Sequence, residues 1–220
     1  MKKKREDGIK YFNQENYTEA LDIFLSEDID PEDDPELSYY LGLTYSRLED
    51  FPSAERYLKL VIDNDINMAR LYQSRLLLGY LYNKTGHFSS AEYHMNKLVD
   101  EGYQSAQIFA NLGYATWNQG LVDESLDYYE KGLALAPDNP NILNAAGYIM
   151  GDRGRNLNRA LEMCQKAVSK NPMNGNYLDS LGWIYFKIGN KEQAELFLRK
   201  ALEYSGESII QKHYEMVKRR

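Results

Sequence analysis

The stretch LGWIYFKIGNKEQAELFLRKAL, residues 181–202, decides the fold. Within it Gly182 is followed by Ala194, then by Leu198 and Ala201. Residues three and four apart share one face of a helix, and small side chains on that face let two helices cross closely. Ile188-Gly189-Asn190 between the two halves is a turn signal. The same wording begins at Gly8, Gly42, Gly79, Gly113 and Gly147, and subtracting neighbouring numbers gives spacings of 34, 37, 34, 34 and 35. Behind these glycines stand Ala20, Ala54, Ala91, Ser125 and Ala160, and then Phe24, Leu58, Met95, Tyr129 and Cys164. Glycine inside a helix costs about 1 kcal/mol against alanine, so its return in one slot marks close packing.

Leucine precedes the glycine in Leu41-Gly42, Leu78-Gly79, Leu112-Gly113 and Leu181-Gly182. A large residue follows three later at Tyr11, Tyr45, Tyr82, Met150 and Tyr185. This period and wording resemble the tetratricopeptide-repeat (TPR) family, of bacterial type, over roughly the whole chain. The resemblance implies an all-α fold, a right-handed α-solenoid of six helical hairpins. The expected repeats fall near residues 1–34, 35–71, 72–105, 106–139, 140–174 and 175–207, as one domain over 1–220. Residues 208–220 space Ile209, Ile210, His213, Tyr214 and Val217 on one face, which predicts an amphipathic capping helix. The first helix, with Lys2 to Arg5, Glu6 and Asp7, serves as its own polar cap.

Thr85-Gly86-His87 and Gln119-Gly120 read as further turns, and Ser89 with Glu92 as a capping box opening a second helix. Pro31, Pro137 and Pro172 are expected to close second helices. Three extra residues near 63–68 predict a longer loop or an extra half turn, and one extra residue falls in 151–156. Thr116 and Ser125 make the fourth repeat the least regular.

A formal charge of −7 and a pI near 5.1 oppose binding of nucleic acid in bulk. Asp28, Asp30, Glu32, Asp33, Asp34 and Glu36 form an acidic turn, read as a solvated loop or as a contact for a basic partner. No segment approaches the ~18 apolar residues of a membrane span, and Glu6, Asp7 and Gly8 interrupt any signal-peptide reading of the basic start. A cytoplasmic location is expected. The single cysteine, Cys164, excludes an internal disulfide and occupies a slot that is apolar in the other repeats.

His87, His94 and His213 lack metal-ligand spacing, and no phosphate-cradling glycine loop or nucleophile elbow appears. The chain therefore reads as a non-enzyme with no cofactor. The TPR resemblance implies a concave surface built by the first helix of each repeat. Positions one step beyond the core stripe would face it: Tyr39 and Leu43, then Tyr80 and Asn83, then Asn111, Tyr114 and Trp117. They continue with Asn144 and Tyr148, then Asp179 and Trp183. Tyr and Trp supply large contact area and Asn can hydrogen-bond a peptide backbone. The same aromatics could instead pack between neighbouring repeats. The carboxylate clamp of chaperone-binding relatives needs an Asn where this chain has Ile9, Leu43, Tyr80 or Tyr114, and cations where it has Asn141 and Ala145, so that ligand type is not expected. The expected function is a scaffold binding a partner peptide or helix in its concave groove. A structural subunit and a regulatory subunit of an enzyme are the alternatives.

Overall fold

The computed structural model describes residues 2–219. Met1 and Arg220, the outer limits of the expected first repeat and capping helix, lie outside the described residues, as does the Lys2 side chain. Thirteen helices and no strand occur among the described residues. They form two compact units, Met1–Gln104 and Ser105–Arg220. The first holds α1 (Lys2–Asn13), α2 (Tyr17–Leu25), α3 (Pro35–Arg47), α4 (Phe51–Asn64), α5 (Met68–Lys84) and α6 (Phe88–Asp100). The second holds α7 (Ala106–Asn118), α8 (Val122–Leu135), α9 (Pro140–Asp152), α10 (Leu157–Lys170), α11 (Gly175–Ile188), α12 (Lys191–Tyr204) and α13 (Ser208–Arg219). Consecutive odd and even helices pair as six hairpins, and α13 packs on α11 and α12.

The glycine stripe builds each hairpin. A methyl group placed on Gly8, Gly42, Gly79, Gly113, Gly147 or Gly182 would come within 3.0 Å of Phe24, Leu58, Met95, Tyr129, Cys164 or Leu198 respectively. Ala20, Ala54, Ala91, Ser125, Ala160 and Ala194 at the same crossings are fully buried. The irregular fourth repeat is satisfied internally. Ser125 Oγ donates to the Gly113 carbonyl at 2.7 Å and Thr116 Oγ1 to that of Leu112 at 2.8 Å. Buried hydroxyls cost little once they are bonded in this way.

Helix starts follow from side-chain acceptors. Asp34, Asn67, Ser105, Asn139 and Asn174 cap α3, α5, α7, α9 and α11 by accepting from backbone N–H groups. The turn inside each hairpin requires a left-handed residue seven positions after the stripe glycine. Gly86, Gly120, Gly154 and Gly189 occupy that slot without strain, whereas Glu15 and Glu49 adopt φ +62° there.

Several expectations need correction. The three extra residues near 63–68 lengthen α5 to 17 residues, against 13 for α3, α7 and α9. Helix α6 starts at Phe88 with His87 at the cap position, so Ser89 and Glu92 lie inside the helix and Ser89 is not the cap residue that the expected capping box requires. Helix α2 ends at Leu25, well before Pro31, while Pro137 and Pro172 do follow the ends of α8 and α10. On α13, Ile210, His213 and Val217 are buried but Ile209 is 43% exposed.

The acidic turn is not simply solvated. Arg5 reaches back from α1 to Glu27 at 2.8 Å, Asp34 at 2.8 Å and Glu36 at 3.3 Å, around a cavity of about 410 Å³. The Glu27 side chain is 1% exposed, and its charge is held out of water by this partner. Desolvation by burial lowers the Arg5 guanidinium, but Glu27 and Asp34 together outweigh it and leave it raised.

Candidate functional site

Helices α7, α9 and α11 present the richest surface. Their periodicity sends Leu112, Ala146 and Leu181 into the core. One step round each helix, side chains emerge on a common face. Tyr114 and Trp117 from α7, Asn144 and Tyr148 from α9, and Asn176 from α11 line a cavity of about 440 Å³. Glu207 and Ile209, at the junction of α12 and α13, form its lip.

The expected residues divide by burial. Tyr114 is 46% exposed, and Trp117, Asn144 and Tyr148 are half-buried around the cavity. Asn111 is half-buried and donates from Nδ2 to the Gln107 carbonyl at 2.9 Å. In the first unit Tyr80 is 48% exposed and Leu43 half-buried. Tyr39, Asn83, Asp179 and Trp183 are buried, so the expectation of an open concave position is corrected for these four. Tyr39 donates its hydroxyl to Gln73 on α5, a contact between hairpins. Asp179 reaches the cavity wall, but both its oxygens lie on His213 Nδ1, at 2.9 and 3.0 Å. Trp183 is covered by the His213 ring, with centroids 4.1 Å apart, and its Nε1–H donates to Asp152 at 3.2 Å. The reason is α13, which sits over these positions of α11 where an open groove was expected.

Two carboxylate residues, Asp179 and Glu207, line the cavity. Burial, reinforced by Asp152 and Asp179, pushes the Tyr148 phenol up to about 12. The Asn144 side-chain carbonyl is buried without a hydrogen-bond partner. Arg153 lies over the Trp117 ring at 5.1 Å. Asn118, Asn176, Glu207 and Ile209 line the cavity without having been expected there. Asn118 could have been found, since it follows Tyr114 by four residues on the same face. Glu207 comes from a connection whose path no helical periodicity describes.

Elsewhere, chemistry is muted. Burial pushes the Cys164 thiol up to about 12, which keeps it from acting as a thiolate. Among the described residues no three His, Cys, Asp or Glu side chains are grouped to hold a metal ion. No helix among them is long and apolar enough to cross a membrane.

Stacked helical hairpins with a small-residue stripe define a helical-repeat protein, and comparison supplies the family. Tetratricopeptide-repeat models match residues 76–140 and 176–207. A TPR repeat-containing protein of Pseudomonas aeruginosa is 42% identical over 71 residues, covering 32% of this chain and 12% of the relative. The photosystem I assembly protein Ycf3 of Prochlorococcus marinus is 30% identical over 110 residues, covering 46% of this chain and 63% of the relative. The matches thus span less than two thirds of either relative's length. The solved structure of PilF from P. aeruginosa superposes with a TM-score of 0.75 at 14% identity, covering 99% of this chain and 96% of that one. The matched repeats, the TPR repeat-containing relative and the solved structure support a tetratricopeptide-repeat protein. Arrays of that family are protein–protein interaction scaffolds and generally non-catalytic.

Proposed function

We propose that the chain is a non-catalytic scaffold whose second unit holds an extended segment of a partner protein along α7, α9 and α11. The carrying observation is the cavity that gathers Tyr114, Trp117, Asn144 and Tyr148 from successive hairpins. Aromatic side chains give contact area at low entropic cost, and amides can bond a peptide backbone. In the first unit Leu43 and Tyr80 are proposed as further contacts. The relation to Ycf3, a photosystem I assembly protein, supports a role in holding partner proteins during assembly.

The test compares capture of partners from a native extract by the wild type and by the double variant Tyr114→Ala, Trp117→Ala. The expected result is a loss of roughly tenfold or more in affinity for the captured partner, with helical content retained. A large fall in melting temperature with undiminished capture would instead assign both side chains to packing.

A further inference from the structure

We infer that the cavity on α7, α9 and α11 selects a partner segment carrying an arginine, whose guanidinium enters between Tyr114 and Tyr148 and is met by Asn144 and Glu207. This rests on the scaffold reading above and adds the chemistry of the ligand. The charge and the aromatic content of the lining favour a cationic donor. No Lys, Arg or His is among the residues found to line the cavity, whereas Asp179 and Glu207 are. The Asn144 carbonyl, buried and unpartnered, needs a donor, and a guanidinium has only donors to offer. Aromatic faces attract cations, and the chain's own Arg153 already lies over the Trp117 ring. A planar guanidinium can stack on a ring and donate at its edge together, which a lysine ammonium cannot do. A carboxylate ligand would meet the like charge of Glu207 and Asp179 and no lining cation.

The experiment pans a phage-displayed library of random linear peptides on the purified full chain and measures the affinity of the selected peptides. Enrichment of arginine is expected, with a loss of about tenfold when that arginine is replaced by neutral citrulline. Glu207→Gln, an exposed change, should weaken the same peptide several-fold, and raised salt should weaken it further. Asn144→Leu should raise the melting temperature while lowering affinity, because it removes an unsatisfied acceptor that only the ligand satisfies. Selected peptides without arginine that still lose binding in the Tyr114→Ala, Trp117→Ala variant would overturn this inference and leave the scaffold reading standing. Selection of nothing, or of peptides indifferent to every cavity substitution, would overturn both.

Discussion

The first and second units are built from the same hairpin but solve its problems with different chemistry. In the second, the left-handed turn slot holds Gly120, Gly154 and Gly189, and the terminal face is covered by a dedicated helix, α13. In the first, two of the three turn slots hold Glu15 and Glu49 in the left-handed region, and α1 carries the ion-pair cluster of Arg5. Its α5–α6 hairpin also buries Ser74 Oγ and His94 Nδ1 without hydrogen-bond partners. The contrast shows that one repeat pattern tolerates closure by a packed helix or by an ion-pair cluster. The two closures should therefore respond differently to mutation, salt and pH.

The largest effect should come from removing α13. Its Ile210 and Val217 are fully buried and His213 nearly so. Each large apolar side chain returned to water costs about 1.5–3 kcal/mol, and Trp183 and Leu178 would be bared as well. A chain ending before Ser208 should aggregate or melt far lower, with loss concentrated in α11 and α12 by hydrogen exchange. A monodisperse product with unchanged melting would remove the distinction between the units.

Next in size is Arg5→Met. Losing the guanidinium leaves Glu27 buried without its partner, and breaking a buried pair costs about 3–5 kcal/mol, less here because Arg5 is partly exposed. Urea denaturation should show a loss of about 2–4 kcal/mol, most of it recovered by adding Glu27→Gln. If the single variant is as stable as the wild type, the N-terminal unit does not depend on this cluster.

A smaller effect separates the units by pH. Desolvation, then Arg75 on α5 and Lys59 on α4, lowers His94 from 6.5 to about 4, with Glu55 on α4 opposing. A group that protonates more readily when unfolded stabilises the fold above its unfolded pKa. That contribution is lost as pH falls from about 6.5 through about 4, and each pKa unit is worth about 1.4 kcal/mol. The wild type should thus lose up to about 3 kcal/mol more than His94→Gln across that window. Parallel stability curves for the two proteins would assign the acid sensitivity elsewhere.

The fold was legible because its determinants recur. Six glycines in one slot, with their partners from Phe24 to Leu198, declared the hairpins, and the spacing of Ile210, His213 and Val217 declared α13. The pairings that shape the site were not legible in this way. His213 meets Asp179 across 34 residues, and Arg5 meets Glu27 and Asp34 across 22 and 29, and no local periodicity links such partners. Trp183 and Asp179 were therefore expected to be open when α13 covers them. Tyr114 and Tyr148 emerged on the cavity because their placement depends only on their own helices.

The smallest expected effect is a gain. Glu15→Gly places the residue suited to φ +62° in the first turn slot, relieving about 1 kcal/mol of strain, offset in part by greater unfolded-chain entropy. Thermal melting should rise slightly. A decrease would show that the Glu15 side chain contributes more than its backbone costs.

The scaffold claim is tested most directly by photo-crosslinking from two positions in the second and first units. A benzophenone amino acid replaces Asn118, on the cavity wall, or Tyr93, 57% exposed on α6. The chain is then irradiated with native extract and the adducts are sequenced. The account predicts one recurrent partner segment attached at position 118 and absent when Tyr114 and Trp117 are both alanine. Adducts that form at position 93 and not at 118 would contradict it.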